Sequence, residues 1–372
     1  MPAPTRFLLR VTLKALVLFV LANLLLIPAD PLPMLGRVSG YNLLWPGRQR
    51  LPYGEDPARS YNLSLYSLEA MFASHAVARP KAPDEYRVLL VGDSSVWGFL
   101  LPPEHTLAAQ INALNLSAPD GRRVLTYNLG YPILSLTKDL LLLSRLQSYD
   151  PDLIIWLVTL ESFPHGKQLF PPLVQNNPGP VRALIAEHGL SLDPAAPDFV
   201  VPTVWDRTFI GRRRALADLL RLQLYGPLWA ATGIDQDIPE TFTPRSEDLE
   251  PDETFHGFQP PSLSPDDVAF DVLAAGVAEA GPTPIVIVNE PMFVSAGENS
   301  DIRYNFFYPR WAYDDYRQLL AAEAAARGWA YADLWDAVDN TEFTDSPIHL
   351  TPRGSAQLAA RVGALITDTL TD

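Results

Sequence analysis

Five short apolar segments, separated by stretches with helical periodicity, constrain the fold of this chain more than any other feature. Most are rich in Leu or β-branched residues, as is typical of buried strands. They lie at 86–92, 123–130, 152–159, 283–290 and 329–335. Strands that alternate with helices form a parallel sheet covered on both faces, and the functional site of such a sheet lies at the carboxyl ends of its strands. The sequence therefore predicts an α/β fold.

Helical patterns occupy the intervals between these segments. The pattern at 264–280 has a good start signal, because Ser264 is a favourable N-cap and Pro265 suits the first helical position. The other predicted helices lie at 106–114, 136–146, 310–327 and 353–370.

Residues 164–262 interrupt this alternation. They contain Pro-rich loops and one helical region, 205–229, in which three consecutive arginines, 212–214, precede Leu-rich turns. An insertion over the site or against a membrane is one interpretation, either as a lid or as a substrate platform. An ordinary packing subdomain is the other.

The N-terminal segment 7–27 is almost wholly apolar. Arg6, Arg10 and Lys14 lie near its start and Asp30 follows it. With the Arg10 and Lys14 side chains extending to the interface, the segment is long enough to span a bilayer, and the positive-inside rule places the N-terminus in the cytoplasm. A cleaved signal peptide is the competing interpretation. It is disfavoured because the bulky Ile27 occupies the candidate cleavage site where a small residue is needed.

The predicted organisation therefore has five parts. Residues 1–28 form a cytoplasmic tip and transmembrane anchor, and 29–84 form a membrane-proximal segment that also wraps the core. Residues 85–163 and 263–372 form the two parts of the α/β core, with 164–262 inserted between them.

Charge and composition exclude several classes of function. The net charge of −15 disfavours nucleic acid as a partner, because phosphate binding requires a basic surface. The chain has no cysteine, so it has neither a disulfide nor a thiolate metal site. The six histidines show no metal-site spacing, and no cofactor is predicted.

The first strand segment runs directly into Gly92-Asp93-Ser94, and a helical pattern follows. This geometry lifts a serine hydroxyl out of the sheet edge, as a nucleophile requires. Asp345 and His349 lie far downstream, between the last strand and the last helix. A serine hydroxyl needs a base, histidine is the natural base near neutral pH, and a carboxylate orients its imidazole. The alternative is an ordinary strand-to-helix turn in which Asp and Ser make local hydrogen bonds.

Further polar residues should converge on the same sheet edge. Gly130, Glu161 and Asn289 each lie at the end of, or just past, a predicted strand. The remaining candidates for the pocket are Asp93, Asn128 and His165. Glu161 either contacts substrate or makes simple strand-end hydrogen bonds.

Gly92-Asp93-Ser94, the later Asn128-Leu129-Gly130 and the late Asp/His pair together resemble the SGNH, or GDSL-like, hydrolase superfamily. The resemblance covers residues 85–163 and 264–372, about half of the chain. It implies a flavodoxin-like three-layer α/β/α sandwich. It also implies that Ser94 is the nucleophile, that Gly130 donates its N–H to the oxyanion, and that His349 and Asp345 are the base and its partner.

The chain departs from the superfamily pattern in two places. Leu160 stands where the third block has an asparagine that donates to the oxyanion, a loss that typically costs roughly 100- to 1000-fold in rate. Asn289, Asn128 and Asn176 are the candidate substitutes. Asp345 lies four residues before His349 rather than three, and Pro347 in an irregular loop is expected to absorb the extra residue.

These features predict a membrane-anchored, extracytoplasmic serine esterase or acyltransferase that forms an acyl-enzyme. By family analogy, the substrate is an acylated cell-envelope glycan, for example an O-acetyl ester, or a small ester, and a membrane-bound O-acyltransferase is an expected partner. A lipase is a variant of this hypothesis. The alternative is a catalytically impaired relative that serves as a scaffold or glycan-binding subunit.

Overall fold

The computed structural model describes residues 3–29, 31–37, 39–53, 66–232, 238 and 242–371. Within them, five parallel strands form a single sheet in the order β2-β1-β3-β4-β5. The strands are β1 (Glu85–Gly92), β2 (Arg123–Gly130), β3 (Leu153–Val158), β4 (Ile285–Asn289) and β5 (Ala330–Asp333). All five match predicted segments, and the order is that of a flavodoxin-like doubly wound sheet. The predicted α/β fold is confirmed.

The described residues also form thirteen α-helices. They are α1 (Ala3–Leu26), α2 (Pro31–Arg37), α3 (Gly40–Leu44), α4 (Leu68–Ala73), α5 (Ser94–Trp97), α6 (Leu107–Ala113), α7 (Leu136–Leu143), α8 (Pro172–Gln175), α9 (Pro178–His188), α10 (Arg213–Thr232), α11 (Phe270–Glu279), α12 (Arg310–Arg327) and α13 (Pro352–Thr371).

The sheet separates two apolar cores because successive side chains of a strand point to opposite faces. Leu89 and Val91 of β1 belong to the core that also contains buried side chains of α7, α11 and α12. Val88 and Leu90 belong to the core formed with α6 and α13. The molecule therefore has the three layers that the resemblance implies.

Two predicted helices differ from the structure. Ser264 caps only a 3-10 turn, Pro265–Asp267, and α11 begins at Phe270. Between the two, Val268 is extended and forms an isolated bridge with Pro164, so the expected single helix is interrupted. The helix predicted at 205–229 begins only at Arg213, because Thr203 and Asp206 hold the preceding residues in a hydrogen-bonded turn.

The membrane-proximal segment contacts the core beneath the carboxyl edge of the sheet. Arg48 forms a bridge with His75, and Arg50 forms one with Asn128 of β2. The Arg50 guanidinium donates to the carbonyl oxygens of Gly98 and Leu101. Residues 48–50 therefore pack against the core, and the role predicted for 29–84 as a whole stays a prediction.

The inserted region has two parts that pack differently. Leu173, Val174 and Val181 of α8 and α9 are fully buried in the core that contains α7. By contrast, α10 packs on α2 and α3, next to the N-terminal helix. The predicted boundaries of the insertion remain a prediction.

Helix α1 contains the only stretch, among the described residues, that is long and apolar enough to cross a membrane. Pro4–Leu26 has a mean hydropathy of 2.0, and none of it is buried within the molecule. Asp30, which entered the charge argument for its orientation, lies outside the described residues.

Candidate active site

The proposed nucleophile lies on a tight turn between β1 and α5. Asp93 is the N-cap of α5, and its Oδ1 accepts a hydrogen bond of 2.8 Å from the Ser95 N–H. The helix ends after one turn at Gly98, whose φ of +87° is a left-handed conformation that glycine adopts without strain. Trp97 packs beneath this turn with its indole N–H donating to the carbonyl oxygen of Leu51. The Ser94 side chain is thereby held at the sheet edge.

The structure brings Ser94, His349 and Asp345 into one chain of hydrogen bonds. Ser94 Oγ lies 2.8 Å from His349 Nε2, and His349 Nδ1 lies 2.9 Å from Asp345 Oδ1. The serine and histidine are 255 residues apart in sequence. This is the geometry in which an imidazole accepts the serine proton while a carboxylate fixes its tautomer.

A short hairpin-like loop accommodates the wide spacing between Asp345 and His349. The Thr344 N–H donates to the His349 carbonyl oxygen at 2.9 Å, and Phe343 forms a bridge with Leu350. The carbonyl oxygen of Pro347 accepts from the Phe293 N–H at 2.7 Å, so the loop is also fixed at its tip. The extra residue therefore does not separate the two side chains.

The Asp345 carboxyl group has a pKa below its ordinary value. Its burial acts to raise that pKa, but the hydrogen bond and charge interaction with His349 and the hydrogen bond from Thr344 outweigh this effect. Asp345 is accordingly a carboxylate at neutral pH. Next to it, the ring of Phe99 lies 4.7 Å from the His349 ring, centroid to centroid, and limits the positions open to the imidazole.

The predicted oxyanion donors are placed differently from expectation. The Gly130 N–H donates to Asn128 Oδ1 at 3.0 Å, and the Asn128 amide N–H donates to the Trp97 carbonyl oxygen. Asn289 is fully buried, and its amide bonds with Asp333 and with the hydroxyl groups of Tyr313 and Tyr316. In this arrangement Gly130 and Asn289 hold the structure together rather than offering free donors.

The region after β3 carries a second group of polar side chains. Leu160, at the position of the absent asparagine, is fully buried. Glu161 accepts from Lys167 and lies 2.9 Å from His256 Nε2, so its carboxylate has two basic partners. His256 was not singled out from the sequence, because nothing near position 256 marks it as a neighbour of β3.

His165 is not grouped with the proposed triad. It lines a surface cavity together with Ser191, Asp266 and Asp271, and none of Ser94, His349 and Asp345 lines that cavity. His165 begins the 3-10 turn His165–Lys167. Its role in the pocket at Ser94 stays a prediction.

A buried ionisable cluster beneath Ser94 was also missed. Lys138 has no exposed surface; its ammonium donates to the carbonyl oxygens of Gly92 and Tyr131, each at 2.7 Å, and lies 2.6 Å from Asp139. Glu290, only 1% exposed, accepts from the Ser95 hydroxyl. Burial and the nearby charge of Asp93 raise the pKa of the Glu290 carboxyl group well above its ordinary value.

Lys138 stands in the polar stretch Thr137-Lys138-Asp139, a composition typical of a solvent-facing part of a helix. The structure instead buries every residue of α7. Asp139 receives a second hydrogen bond, from the Trp156 indole N–H at 3.1 Å, and burial raises the pKa of its carboxyl group. The cluster therefore fixes the carbonyl oxygen of Gly92, directly before the turn that carries Ser94.

The described residues contain one His/acid group with the spacing of metal ligands. It consists of Glu187, His188 and Glu279, with His188 Nε2 at 2.7 Å from Glu279 Oε1. The group is partly exposed, and the triad residues are not among its members.

Comparisons with known proteins give matches to solved structures only. No family model matches the chain, and no curated protein matches it. Matched structures include a carbohydrate acetylesterase from Sinorhizobium meliloti, with 13% identity, a TM-score of 0.33, and coverage of 76% of this chain and 99% of that one. An aryl esterase from M. smegmatis has 13% identity and a TM-score of 0.34, and the match covers 75% of this chain and 97% of that one.

A member of the lipolytic G-D-S-L family from Veillonella parvula is also similar. It has 11% identity and a TM-score of 0.35, and the match covers 76% of this chain and 98% of that one. Its family name is that of the superfamily which the sequence resembles. Because these TM-scores lie below 0.5, the properties of the site are taken from the geometry of this chain alone.

Proposed function

We propose that this chain is a serine esterase or acyltransferase of the SGNH type, anchored in a membrane by α1 with its main domain on the extracytoplasmic side. The observation that carries the catalytic part is the continuous hydrogen-bonded series from Ser94 Oγ through His349 to Asp345. A strand-to-helix turn with only local hydrogen bonds has no need of an imidazole from a residue 255 positions away.

In the first half of the proposed reaction, Ser94 Oγ attacks the ester carbonyl carbon while His349 Nε2 takes the hydroxyl proton. A C–O bond to Ser94 forms, and the tetrahedral intermediate collapses when the bond to the alcohol breaks. The imidazolium returns its proton to the departing alkoxide. The Asp345 carboxylate, 2.9 Å from Nδ1, stabilises the imidazolium during this interval.

In the second half, the acyl group leaves Ser94. Water gives hydrolysis and a carboxylic acid, whereas a sugar hydroxyl gives acyl transfer. In both cases His349 accepts the proton of the attacking oxygen and then returns it to Ser94 Oγ.

The N–H of Ser94 is the proposed oxyanion donor of the turn. It is the first N–H of α5, where intrahelical acceptors are absent, whereas the next N–H, of Ser95, already donates to Asp93. This donor remains in place even though Leu160 replaces the asparagine of the superfamily pattern. A site with fewer donors is expected to be slower by roughly 100- to 1000-fold per donor lost.

The proposed substrate is an acylated cell-envelope glycan, with an O-acetyl ester as the leading case. This assignment rests on family analogy, since anchored members of the superfamily often act on envelope polysaccharides. A membrane-bound O-acyltransferase is the proposed protein partner on the same basis. A small soluble ester is the minimal substrate that the triad alone would cleave.

One observation favours a second function. Leu160 is fully buried, and the Gly130 N–H is already bonded to Asn128, so two donors of the superfamily pattern are not offered to an oxyanion. A catalytically impaired scaffold or glycan-binding subunit would have this property. The same fold would then present sugars rather than hydrolyse their esters.

Labelling with a serine-directed fluorophosphonate, together with hydrolysis of p-nitrophenyl acetate, distinguishes the two functions. We expect the native chain to be labelled and Ser94→Ala and His349→Ala to lose both labelling and hydrolysis. Ser148→Ala is the matched control, because Ser148 is exposed and its hydroxyl bonds only locally, to the Arg145 carbonyl oxygen. A native protein that is folded but neither labelled nor active would overturn the catalytic proposal and support the scaffold.

The glycan assignment needs a separate test. The full chain in lipid nanodiscs is incubated with O-acetylated and chemically deacetylated polysaccharide, and released acetate is measured. Acetate release that requires Ser94 supports the esterase, and acetyl transfer to the deacetylated chain supports the transferase. Active enzyme on p-nitrophenyl acetate that leaves the polysaccharide unchanged would overturn only the substrate class.

A further inference from the structure

Helix α10 has a stripe of leucines that face away from the protein. Leu220, Leu224 and Leu228 are spaced by four residues and therefore share one side of the helix. They are 64%, 71% and 62% exposed. The opposite side is already used, since Leu219, Leu222 and Gly226 are buried. A surface helix normally has its charged residues where this one has leucines.

The exposed leucines belong to a wider apolar layer, formed by α2, α3 and α10, which we call the basal layer. Met34 of α2 and Leu43 and Leu44 of α3 are 60%, 79% and 82% exposed. Trp45, directly after α3, is 42% exposed. The Tyr41 N–H donates to Gln223 Oε1 at 2.7 Å, which fixes α3 against α10. Contiguous exposed apolar surface of this kind marks an interaction site.

The basal layer is joined directly to the C-terminal end of α1. The Ile210 N–H donates to Asn23 Oδ1 at 3.2 Å, and the Arg212 guanidinium donates to the Ala29 carbonyl oxygen at 3.1 Å. These bonds hold the start of α10 at the level where the apolar helix ends. If α1 spans a bilayer, that level is the interface between the hydrocarbon and the headgroups.

Charge also distinguishes this region from the rest of the molecule. Residues 204–232 contain five arginines and two aspartates in a chain whose net charge is −15. Arg213, Arg214 and Arg221 are exposed. An apolar stripe flanked by arginines is typical of helices that lie in the plane of an anionic membrane surface.

We propose that α10 is an interfacial helix whose Leu220, Leu224 and Leu228 insert into the bilayer that α1 spans. The proposal rests on the anchoring part of the proposed function and adds a second membrane contact to it. The occupant of the apolar stripe is lipid rather than protein, because the stripe continues from the end of the anchor and because its flanking charges complement anionic headgroups. Part of the insertion then serves to hold the protein against the membrane surface.

The absence of cysteine from the chain makes a site-specific test direct. Leu224→Cys in the stripe, Leu18→Cys in α1 and Ala322→Cys on the exposed side of α12 are each labelled with the fluorophore NBD. The full-length variants are placed in nanodiscs of mixed neutral and anionic phospholipid that hold one copy each. Quenching by lipids with a shallow or a deep nitroxide then reports the depth of each label, and circular dichroism verifies that each variant is folded.

We expect the shallow nitroxide to lower the fluorescence at position 224 at least about twofold, because an interfacial helix buries its apolar face roughly 5–10 Å into the headgroup region. The label at position 18 should respond most to the deep nitroxide, and the label at position 322 to neither. Replacing the anionic lipid by neutral lipid should weaken the quenching at position 224.

Quenching at position 18 without quenching at position 224 would overturn the proposal and leave the anchor intact. This result would also be seen if the stripe binds a second copy or another protein. Absence of quenching at both positions would overturn the anchor and the interfacial helix together. None of these measurements depends on Ser94, so loss of the catalytic proposal would leave the result unchanged.

Discussion

The catalytic edge of the sheet and the basal layer depart from ordinary protein architecture in opposite directions. At the catalytic edge, ionisable side chains such as Lys138 and Glu290 are buried, and each has a polar partner. In the basal layer, leucines such as Leu224 are exposed. Folded proteins mostly do the reverse, with charges outside and large apolar groups inside. Each region therefore carries a free-energy cost that a structural role alone does not explain.

The two regions differ in whether their side chains already have the partners that they need. Under the proposed function, the edge that carries Ser94 is preorganised, because its groups already hold the positions that the proposed reaction requires before substrate arrives. The basal layer is incomplete until something apolar covers it. Changes at the edge should thus alter chemistry and global stability, while changes in the basal layer should remain local.

The largest expected effect is that of Asp345→Asn. An amide at this position orients His349 in the wrong tautomer, and we expect kcat to fall by roughly 10⁴-fold. Hydrolysis rates with p-nitrophenyl acetate and fluorophosphonate labelling measure the loss of activity. The control is Asp336→Asn, which changes an exposed aspartate that precedes Asp345 in the same loop. Retention of most of the activity would show that His349 is oriented by something other than Asp345.

The next effect concerns the buried cluster. Lys138→Met removes the ammonium from Asp139 and from the carbonyl oxygens of Gly92 and Tyr131, and should lower the free energy of unfolding by about 3–5 kcal/mol. Chemical denaturation of the full chain in mild detergent measures the loss. The double variant Lys138→Met/Asp139→Asn should recover part of it, because no unpaired buried carboxylate remains. A loss below about 1 kcal/mol in the single variant would contradict this account.

His75, fully buried beneath the same edge, predicts a pH dependence of stability. Burial lowers the pKa of its imidazole from 6.5 to about 4, against hydrogen bonds that act to raise it. Between these two values the unfolded chain binds a proton that the folded chain does not bind. Stability therefore falls as the pH drops through this window, by about 3 kcal/mol in all.

The variant His75→Gln tests this window. It should remove the His75 contribution to the slope between pH 6.5 and 4, even if it lowers stability at every pH by disturbing the bonds to Asn128 and Val77. Denaturation at several pH values gives the slope of the free energy of unfolding against pH for the native chain and for the variant. Equal slopes for the native chain and the variant would contradict the prediction.

The smallest effect comes from two glycines, one in the core beside the sheet and one in the basal layer. A Cβ at Gly276 of α11 would meet the ring of Trp156 in the core, whereas a Cβ at Gly226 of α10 would lie 2.9 Å from the ring of Tyr41. Overpacking costs about 1–3 kcal/mol, so we expect Gly276→Ala near the upper end and Gly226→Ala near the lower end.

Thermal unfolding should report the effect of Gly276→Ala. Hydrogen exchange of the α10 amides should report the effect of Gly226→Ala. If the two regions are independent, Gly226→Ala speeds exchange in α10 and leaves the unfolding of the sheet unchanged. A Gly226→Ala variant that destabilises the sheet as much as Gly276→Ala would show that the regions form one cooperative unit, and the comparison would fail.

Much of the fold was predictable because apolar periodicity reports burial. All five strands lie within the predicted segments or within one residue of them, since each is a short apolar segment flanked by helical patterns. The interrupted helix at 264–280 was not predictable. Its break depends on the pairing of Val268 with Pro164, about one hundred residues away, which no local pattern records.

The candidate site, like the fold, was predictable from the sequence only in part. Ser94 closely follows the end of β1, and Asp345 and His349 lie in the loop between β5 and α13, so the topology brings them to one edge of the sheet. Their catalytic roles remain predictions. The cluster of Lys138, Asp139 and Glu290 was missed because periodicity gives no information about a charged residue whose partners are backbone carbonyl groups of other elements. The partners of Asn289 were missed for a similar reason, since two of them lie on α12.

The two hydrogen bonds that Ile210 and Arg212 donate to Asn23 and Ala29 hold the start of α10 close to the end of α1. If α1 spans a bilayer as proposed, these bonds keep the described part of the insertion, from Ile210 onward, near the membrane surface. A chain of this length has a radius of gyration of about 20 Å, so only esters within a thin shell above the membrane come within reach. Encounter then becomes a two-dimensional search along the surface, which favours polymers emerging from that surface over molecules free in the surrounding fluid.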